Sequence, residues 1–367
     1  MSKYTMKNKL ENCLLLFAAT IFLILLAQAV FQTGFNWVLD FKFASKLGTT
    51  LAGILSFVSV VLIFINLKKQ SYTFSVSQIE NRFFELIKFH RDNVKEMEYE
   101  SPESSNKEQI NIKSGHKVFV TIYYEILLSQ TYLDNFLKIF LNGNKFSTVY
   151  KNDQIEKQRR EKIDFKNRIF KFEALEKVNI AYLVVFVGVS KQGREVLKSI
   201  LEQFYSQQFV NALIQHYASI PVLWSMHRKK FEQDGGNLPN AKFVKYFGGH
   251  QHRLGHYFRH LYQAITYIDN SKQLNFDEKY EYIKSLRAQL STYEQAVVFF
   301  NSISDFGRVW ELEKQKENDQ LVTKYNFIKN IPAEFITDID LKQFYPLVEY
   351  EGLGEIPEKV ELKKKYT

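Results

Sequence analysis

Two uncharged apolar runs open the chain. Residues 13–33 read CLLLFAATIFLILLAQAVFQT and residues 47–67 read LGTTLAGILSFVSVVLIFINL. A helix rises about 1.5 Å per residue, so each run is long enough to cross about 30 Å of hydrocarbon. The connection, residues 34–46, carries Trp37 and several Phe, which suit a membrane interface. The pattern predicts a two-span hairpin. Lys3, Lys7 and Lys9 precede it and Lys68 and Lys69 follow it, against Lys42 and Lys46 in the connection. The positive-inside rule then places both termini in the cytoplasm, with residues 1–12 as a short tail. Ala27-Gln28-Ala29 also has the form of a signal-peptide cleavage site. That alternative leaves the second span and the cytoplasmic side of the remainder unchanged.

Beyond the apolar runs the hydrophobic spacing turns helical. Ile79, Phe83, Leu86 and Ile87 fall on one face of a juxtamembrane helix over 68–98. Residues 99–115 are polar, with a Ser-Pro-Glu-Ser-Ser run, and read as a loop. Helical patterns resume at 116 and make 116–345 a cytoplasmic helical domain. NIAYLVVFVGV (179–189) is too short to span a bilayer and suits a buried core helix. Helices are expected over 193–218, ending before Pro221, and over 276–304 and 308–330. Residues 232–241 form a break, and 346–367 a basic, frayed tail. Residues 151–171 mix charges of both signs and read as a solvated helix face, with an RNA or lipid contact as the rival. The fold class is therefore mainly α: two N-terminal transmembrane helices followed by a cytoplasmic α-helical bundle.

Composition narrows this only slightly. Gly (15) and Pro (6) are scarce among 367 residues, which argues against a turn-rich β fold. Cys13 is the only cysteine, so an intramolecular disulfide and a Cys-based zinc site are excluded. The net charge of +9 suits nucleic acid, an anionic membrane surface or simple solubility.

Candidate chemistry concentrates in GGHQHRLGHYFRHLYQAITYID (248–269), which holds His250, His252, His256 and His260 of the chain's eight histidines. At about 100° per residue, Leu254, Phe258, Leu261, Ile265 and Ile268 share a core face. His252, His256 and His260 lie opposite, facing water, a partner chain or a ligand. Three readings stand side by side: a solvated stripe, a metal site on His252, His256 and His260, or a nuclease pair of Arg253 and His260. Imidazoles four residues apart can share a metal. Arg253 and His260 fit the loose R-x4–6-H pattern of HEPN ribonucleases. In that chemistry the histidine moves a proton and the arginine stabilises charge on phosphate, without a metal. Leu254 departs from the pattern, which usually has a polar residue after the arginine.

Six blocks in order carry a family resemblance: residues 81–94, 115–119, 181–189, 254–269 (LGHYFRHLYQAITYID), 282–301 (YIKSLRAQLSTYEQAVVFFN) and 321–331. Together they resemble the phage abortive infection proteins of the AbiC-like group, over about residues 74–331. The resemblance implies bacterial anti-phage defence, in which the infected cell stops growing or dies. It supplies no catalytic residues. Its most specific parts are Tyr257, Phe258, Arg259, His260, Leu261 and Tyr262, then Arg287, Gln289, Ser291, Glu294 and Asn301. His250, His252 and Arg253 fall outside that pattern. Tyr257, Arg259, Tyr262, Arg287, Gln289 and Glu294 form a candidate polar cluster. One reading is structural, with Arg259 or Arg287 paired to Glu294 or Asp269; the other is a ligand or phosphate pocket.

The function expected is a membrane-anchored abortive-infection effector at the bacterial inner membrane, non-enzymatic and homo-oligomeric, triggered by a phage-derived cue. Gly48 and Gly53, with small neighbours, suit helix–helix packing in the second span. The alternatives are a membrane-tethered, HEPN-like ribonuclease that binds RNA, and a sensor or scaffold that recruits a separate toxin. No cofactor is expected.

Overall fold

A computed structural model describes residues 20, 24, 41–102, 110–166, 168–233, 247–314, 320–332, 334–337 and 339–351. All but Thr20 and Ile24 of the first apolar run, most of its connection to the second, the signal-like Ala27-Gln28-Ala29 and residues 352–367 of the basic tail lie outside these, as do 234–241 of the expected break. The chain divides into two units, residues 1–78 and 79–367.

In the first unit the described part is dominated by the start of helix α1, Phe41–Glu96. Its stretch from Gly48 is long and apolar enough to cross a membrane, the one such helix among the described residues. Its apolar side chains are bare: Leu55, Phe57, Val60, Ile63, Phe64 and Leu67 are all more than half exposed. A contiguous apolar surface of this kind marks contact with lipid or a partner.

In the second unit the helical pattern takes over. Ile79, Phe83, Leu86 and Ile87 of α1 are buried, as their spacing predicts. Strands β1 (Glu98–Pro102) and β2 (Ile110–Ser114) then pair antiparallel, where a loop is expected. The polar composition hid them, because a two-stranded ribbon can satisfy its backbone without an apolar face.

The core is built on α2 (His116–Leu141), α4 (Phe172–Val187) and α9 (Thr292–Ile303), which pack on one another. Val178 through Val187 of α4 are all buried, so the apolar run at 179–189 is a core helix as expected. Around this core lie α3 (Asp153–Glu161), α5 (Lys191–Leu201), α6 (Gln207–Gln233), α7 (Gln251–Asp269), α8 (Phe276–Arg287) and two single turns, α10 (Leu321–Lys324) and α11 (Leu341–Phe344).

Four expectations are corrected. The single helix over 193–218 is two: α5 stops at Leu201, and α6 starts after Ser206, whose hydroxyl accepts from Phe209 N. The break turns Tyr205 inward, and α6 continues past Pro221. The single helix over 276–304 is also two. Ser291 ends the break as the N-cap of α9, and Glu294 reaches back to its backbone, a capping box. The S-x-x-E signal was present in LSTYEQAV. Residues 308–330, expected helical, are mainly turns, with a 3-10 turn at Arg308–Trp310 and α10. The tail does not fray at 346: Val348 and Tyr350 are buried.

The mixed-charge segment 151–171 is only partly a solvated face. Arg159 and Arg168 turn inward. Glu176, fully buried on α4, accepts from Arg159 Nε (2.8 Å), Arg308 Nη2 (2.8 Å) and Tyr205 Oη (2.6 Å). Asp305 accepts from Arg159 (3.0 Å), Arg308 (2.8 Å) and Asn179 Nδ2 (3.0 Å). Burial pushes the Asp305 carboxyl up, but Arg308, Arg159 and the Asn179 bond together hold it below its ordinary range. Arg168 pairs with Asp164 and Glu311 in the same way.

Candidate functional site: a cleft beside the histidine helix

Helix α7 has the two faces its sequence predicts. Leu254, Phe258, Leu261, Ile265 and Ile268 are buried, joined by Tyr257, while His252, His256 and Arg259 are exposed. The helix starts at a tight backbone crossing. Gly188, the C-cap of α4 with φ 88°, passes directly over Gly248 and Gly249, and a Cβ on Gly188 or Gly249 would collide with backbone. Val189 N donates to Phe247 O (2.7 Å) and His250 N to Phe186 O (2.8 Å), locking the crossing. His250 then points inward, with Nε2 2.6 Å from Glu125 Oε2.

The crossing brings the exposed face of α7 alongside the start of α5 and the Arg308–Trp310 turn. Between them opens a cleft of about 760 Å³. His252, His256, Arg259 and Tyr262 line it from α7, Ser190, Gln192 and Gly193 from the start of α5, and Phe306 and Trp310 from the far side.

The remaining candidates are dispersed. Glu294 is fully buried and joins His116 Nδ1 (2.6 Å), the Ser291 cap and, at 3.5 Å, Tyr257 Oη. Arg287 is buried and donates to the carbonyls of Tyr325 (3.0 Å) and Asn326 (2.7 Å), not to Glu294 or Asp269. Asp269 is taken by Lys324 and by Tyr325 Oη. Gln289 is exposed in the turn after α8. The expected cluster is therefore not one pocket: Arg259 and Tyr262 reach the cleft, and Tyr257, Arg287 and Glu294 are core connections. Arg287 satisfies two backbone carbonyls at a break, which no local spacing foretells.

The nuclease pair is not assembled within this chain. Arg253 Nε donates to Glu98 O (2.6 Å), tying α7 to β1. His260 is half-buried, and its Nδ1 has no hydrogen-bond partner among the described residues. Burial, then His256 and Arg259, lowers its pKa, so its neutral form is favoured. Nor do His252, His256 and His260 converge. His256 and His260 have ring centroids 6.2 Å apart, and two turns of helix separate His252 from His260. Among the described residues no group of three His, Cys, Asp or Glu side chains is placed to hold a metal ion.

His90 was not singled out by its sequence context. It lies in the core against Tyr257, ring centroids 4.7 Å apart, with neither ring nitrogen hydrogen-bonded among the described residues. Burial, then His260 and His116, lowers its pKa to about 4.

Residues 249–336 match the family described as "Putative phage abortive infection protein". The matched segment runs from the glycine crossing through α7, α8, α9 and α10. It contains the Arg259 side of the cleft, the Glu294 capping box and the Arg287 brace. The resemblance read over 74–331 is thereby supported in its C-terminal blocks, and the blocks at 81–94, 115–119 and 181–189 lie outside the match. No curated protein and no solved structure matches the chain.

Proposed function

We propose that this chain is a membrane-anchored anti-phage defence protein that arrests or kills the infected cell by acting on the inner membrane, without a catalytic step. The abortive-infection match over 249–336 carries the defence reading. The bare apolar stretch of α1 supports the anchor. In this reading residues 13–33 form a second span, both termini are cytoplasmic, and the hairpins of several copies associate when the cytoplasmic helices receive a phage cue. The lysines flanking the two runs support that orientation.

The test is phage challenge of cells making the full chain, with plaque counts, dye entry and RNA integrity followed together. The expected result is fewer plaques, dye entry before lysis and intact RNA. Val60→Lys, which puts a charge at the middle of the apolar stretch, costs about 3 kcal/mol of insertion and should remove both membrane association and protection. Protection that survives in a soluble Val60→Lys protein would refute the membrane reading.

One observation favours a second reading. His260 Nδ1 has no hydrogen-bond partner among the described residues and its pKa is lowered, as in a proton-accepting group. If RNA is cut during infection and His260→Ala or Arg253→Ala stops the cutting, the chain is a metal-independent ribonuclease whose site needs a second copy.

A further inference from the structure

The cleft beside α7 has a composition that the defence reading does not use. Its volume, about 760 Å³, lies within the range of small-molecule sites. One wall is aromatic and braced. Phe306 packs on Phe186 with centroids 5.0 Å apart, and Tyr262 packs on Trp310 at 5.5 Å. Phe306 is nonetheless 44% exposed, so its ring stays open to the cleft, whereas Trp310 is buried behind Tyr262. The opposite wall is cationic. Arg259 is exposed there and makes no ion pair or hydrogen bond among the described residues. His256 and His252 precede it by one and two turns on the same helix.

Among the described residues, no aspartate or glutamate lines the cleft. This matters in a domain where Arg159, Arg168 and Arg308 each have carboxylate partners. The N-termini of α5 and α7 also open onto the cleft through Gln192, Gly193 and Gly249, adding positive ends of helix dipoles to the same wall. The floor is Gly255, where a Cβ would meet nothing within 4 Å. It is an open space beneath a cation, beside a flat aromatic surface.

We propose that this cleft binds a nucleotide, with its base on the exposed ring of Phe306 and its phosphate on Arg259, His252 and His256. Phe306, backed by Phe186, supplies a stacking surface for any base, and the guanidinium supplies paired donors for phosphate oxygens. Gln192 and Gln251 stand at the rim as donors and acceptors for base edges. The proposal does not depend on the defence reading, because it is read by binding alone.

The experiment is calorimetric titration of the full chain in detergent with the 5′-monophosphates of adenosine, guanosine, cytidine and uridine. Adenosine, inorganic phosphate and glycerol 3-phosphate serve as part-ligands, the last standing for a lipid headgroup. At least one nucleotide is expected to bind, and at least about tenfold more tightly than each part-ligand. Arg259→Gln should weaken that binding at least about tenfold, and Gly255→Leu should abolish it by filling the floor. Neither change touches a buried partner, so both variants should unfold at the wild-type temperature, and Gln289→Ala, outside the cleft, should bind normally. The proposal is overturned if none of the four nucleotides binds, if glycerol 3-phosphate or phosphate binds as tightly as a nucleotide, or if Gly255→Leu or Arg259→Gln binds unchanged.

Discussion

Arg159 and Arg308, buried in the core, and Arg259, exposed at the cleft, carry the same group in opposite circumstances. The first two are buried and share Glu176 and Asp305, with Tyr205 and Asn179 filling the remaining acceptor sites. Arg259 stands exposed at a cleft without a carboxylate. A guanidinium taken out of water must be matched by charge and hydrogen bonds, or the domain does not fold. One left at a concave surface costs nothing in stability and stays available to an anion. The contrast separates arginines that hold the structure from the arginine that can serve a ligand, although all lie in similarly charged stretches of sequence.

The largest break in this contrast should come from Glu176→Ala, which leaves two buried guanidinium groups with Asp305 as their one shared carboxylate among the described residues. A loss of about 3–5 kcal/mol is expected, measured as unfolding in urea of the full chain in detergent. A near-normal unfolding midpoint would mean that the cluster is hydrated rather than mutually neutralised.

His90 sharpens the comparison from the neutral side, as a buried base with no partner to hold a proton. Its folded pKa of about 4 lies below the ordinary 6.5, so below pH 6.5 the unfolded chain takes up a proton that the folded one refuses. Stability from this group is complete above pH 6.5 and drains away as pH falls toward 4. By linkage the loss between pH 7.5 and 5 is about 2 kcal/mol. His90→Leu should flatten that limb when unfolding is followed at both pH values, and an unchanged slope would assign the acid sensitivity elsewhere.

Next comes Ser291→Ala, which removes the cap between α8 and α9 and should cost about 1 kcal/mol in the same assay. Arg259→Gln closes the series. As an unpartnered surface change it should shift stability by less than about 0.5 kcal/mol, while removing nucleotide binding. A large destabilisation would place Arg259 with Arg159 and Arg308 and end the distinction.

Much of the fold was legible before any coordinate. The apolar stretch from 47, the buried face at Ile79–Ile87, the core helix at 179–189 and both faces of α7 all follow from local periodicity, because burial along a helix repeats every three to four residues. The resemblance in LGHYFRHLYQAITYID and RAQLS was equally legible, and the family match falls on those blocks. Helix ends were harder. The breaks at 202–206 and 288–291 rest on single capping residues inside apolar patterns, and the β1–β2 ribbon has no apolar face to announce it.

The sequence by itself determined where apolar residues recur, hence the class of fold, the membrane-length helix and the face of α7 that stays in solvent. Only the tertiary structure decided which charges meet. Glu176 and Arg308 are 132 residues apart, and Arg159 and Asp305 are 146 apart. Spacing says nothing about such pairs, since they are selected by the energy of leaving a buried charge unmatched once the helices have packed. The same packing, through the glycine crossing at Gly188 and Gly249, placed Arg259 and the histidines in one cleft with Phe306, which belongs to a distant turn. The cleft exists because three separate segments meet there, and no one of them contains it.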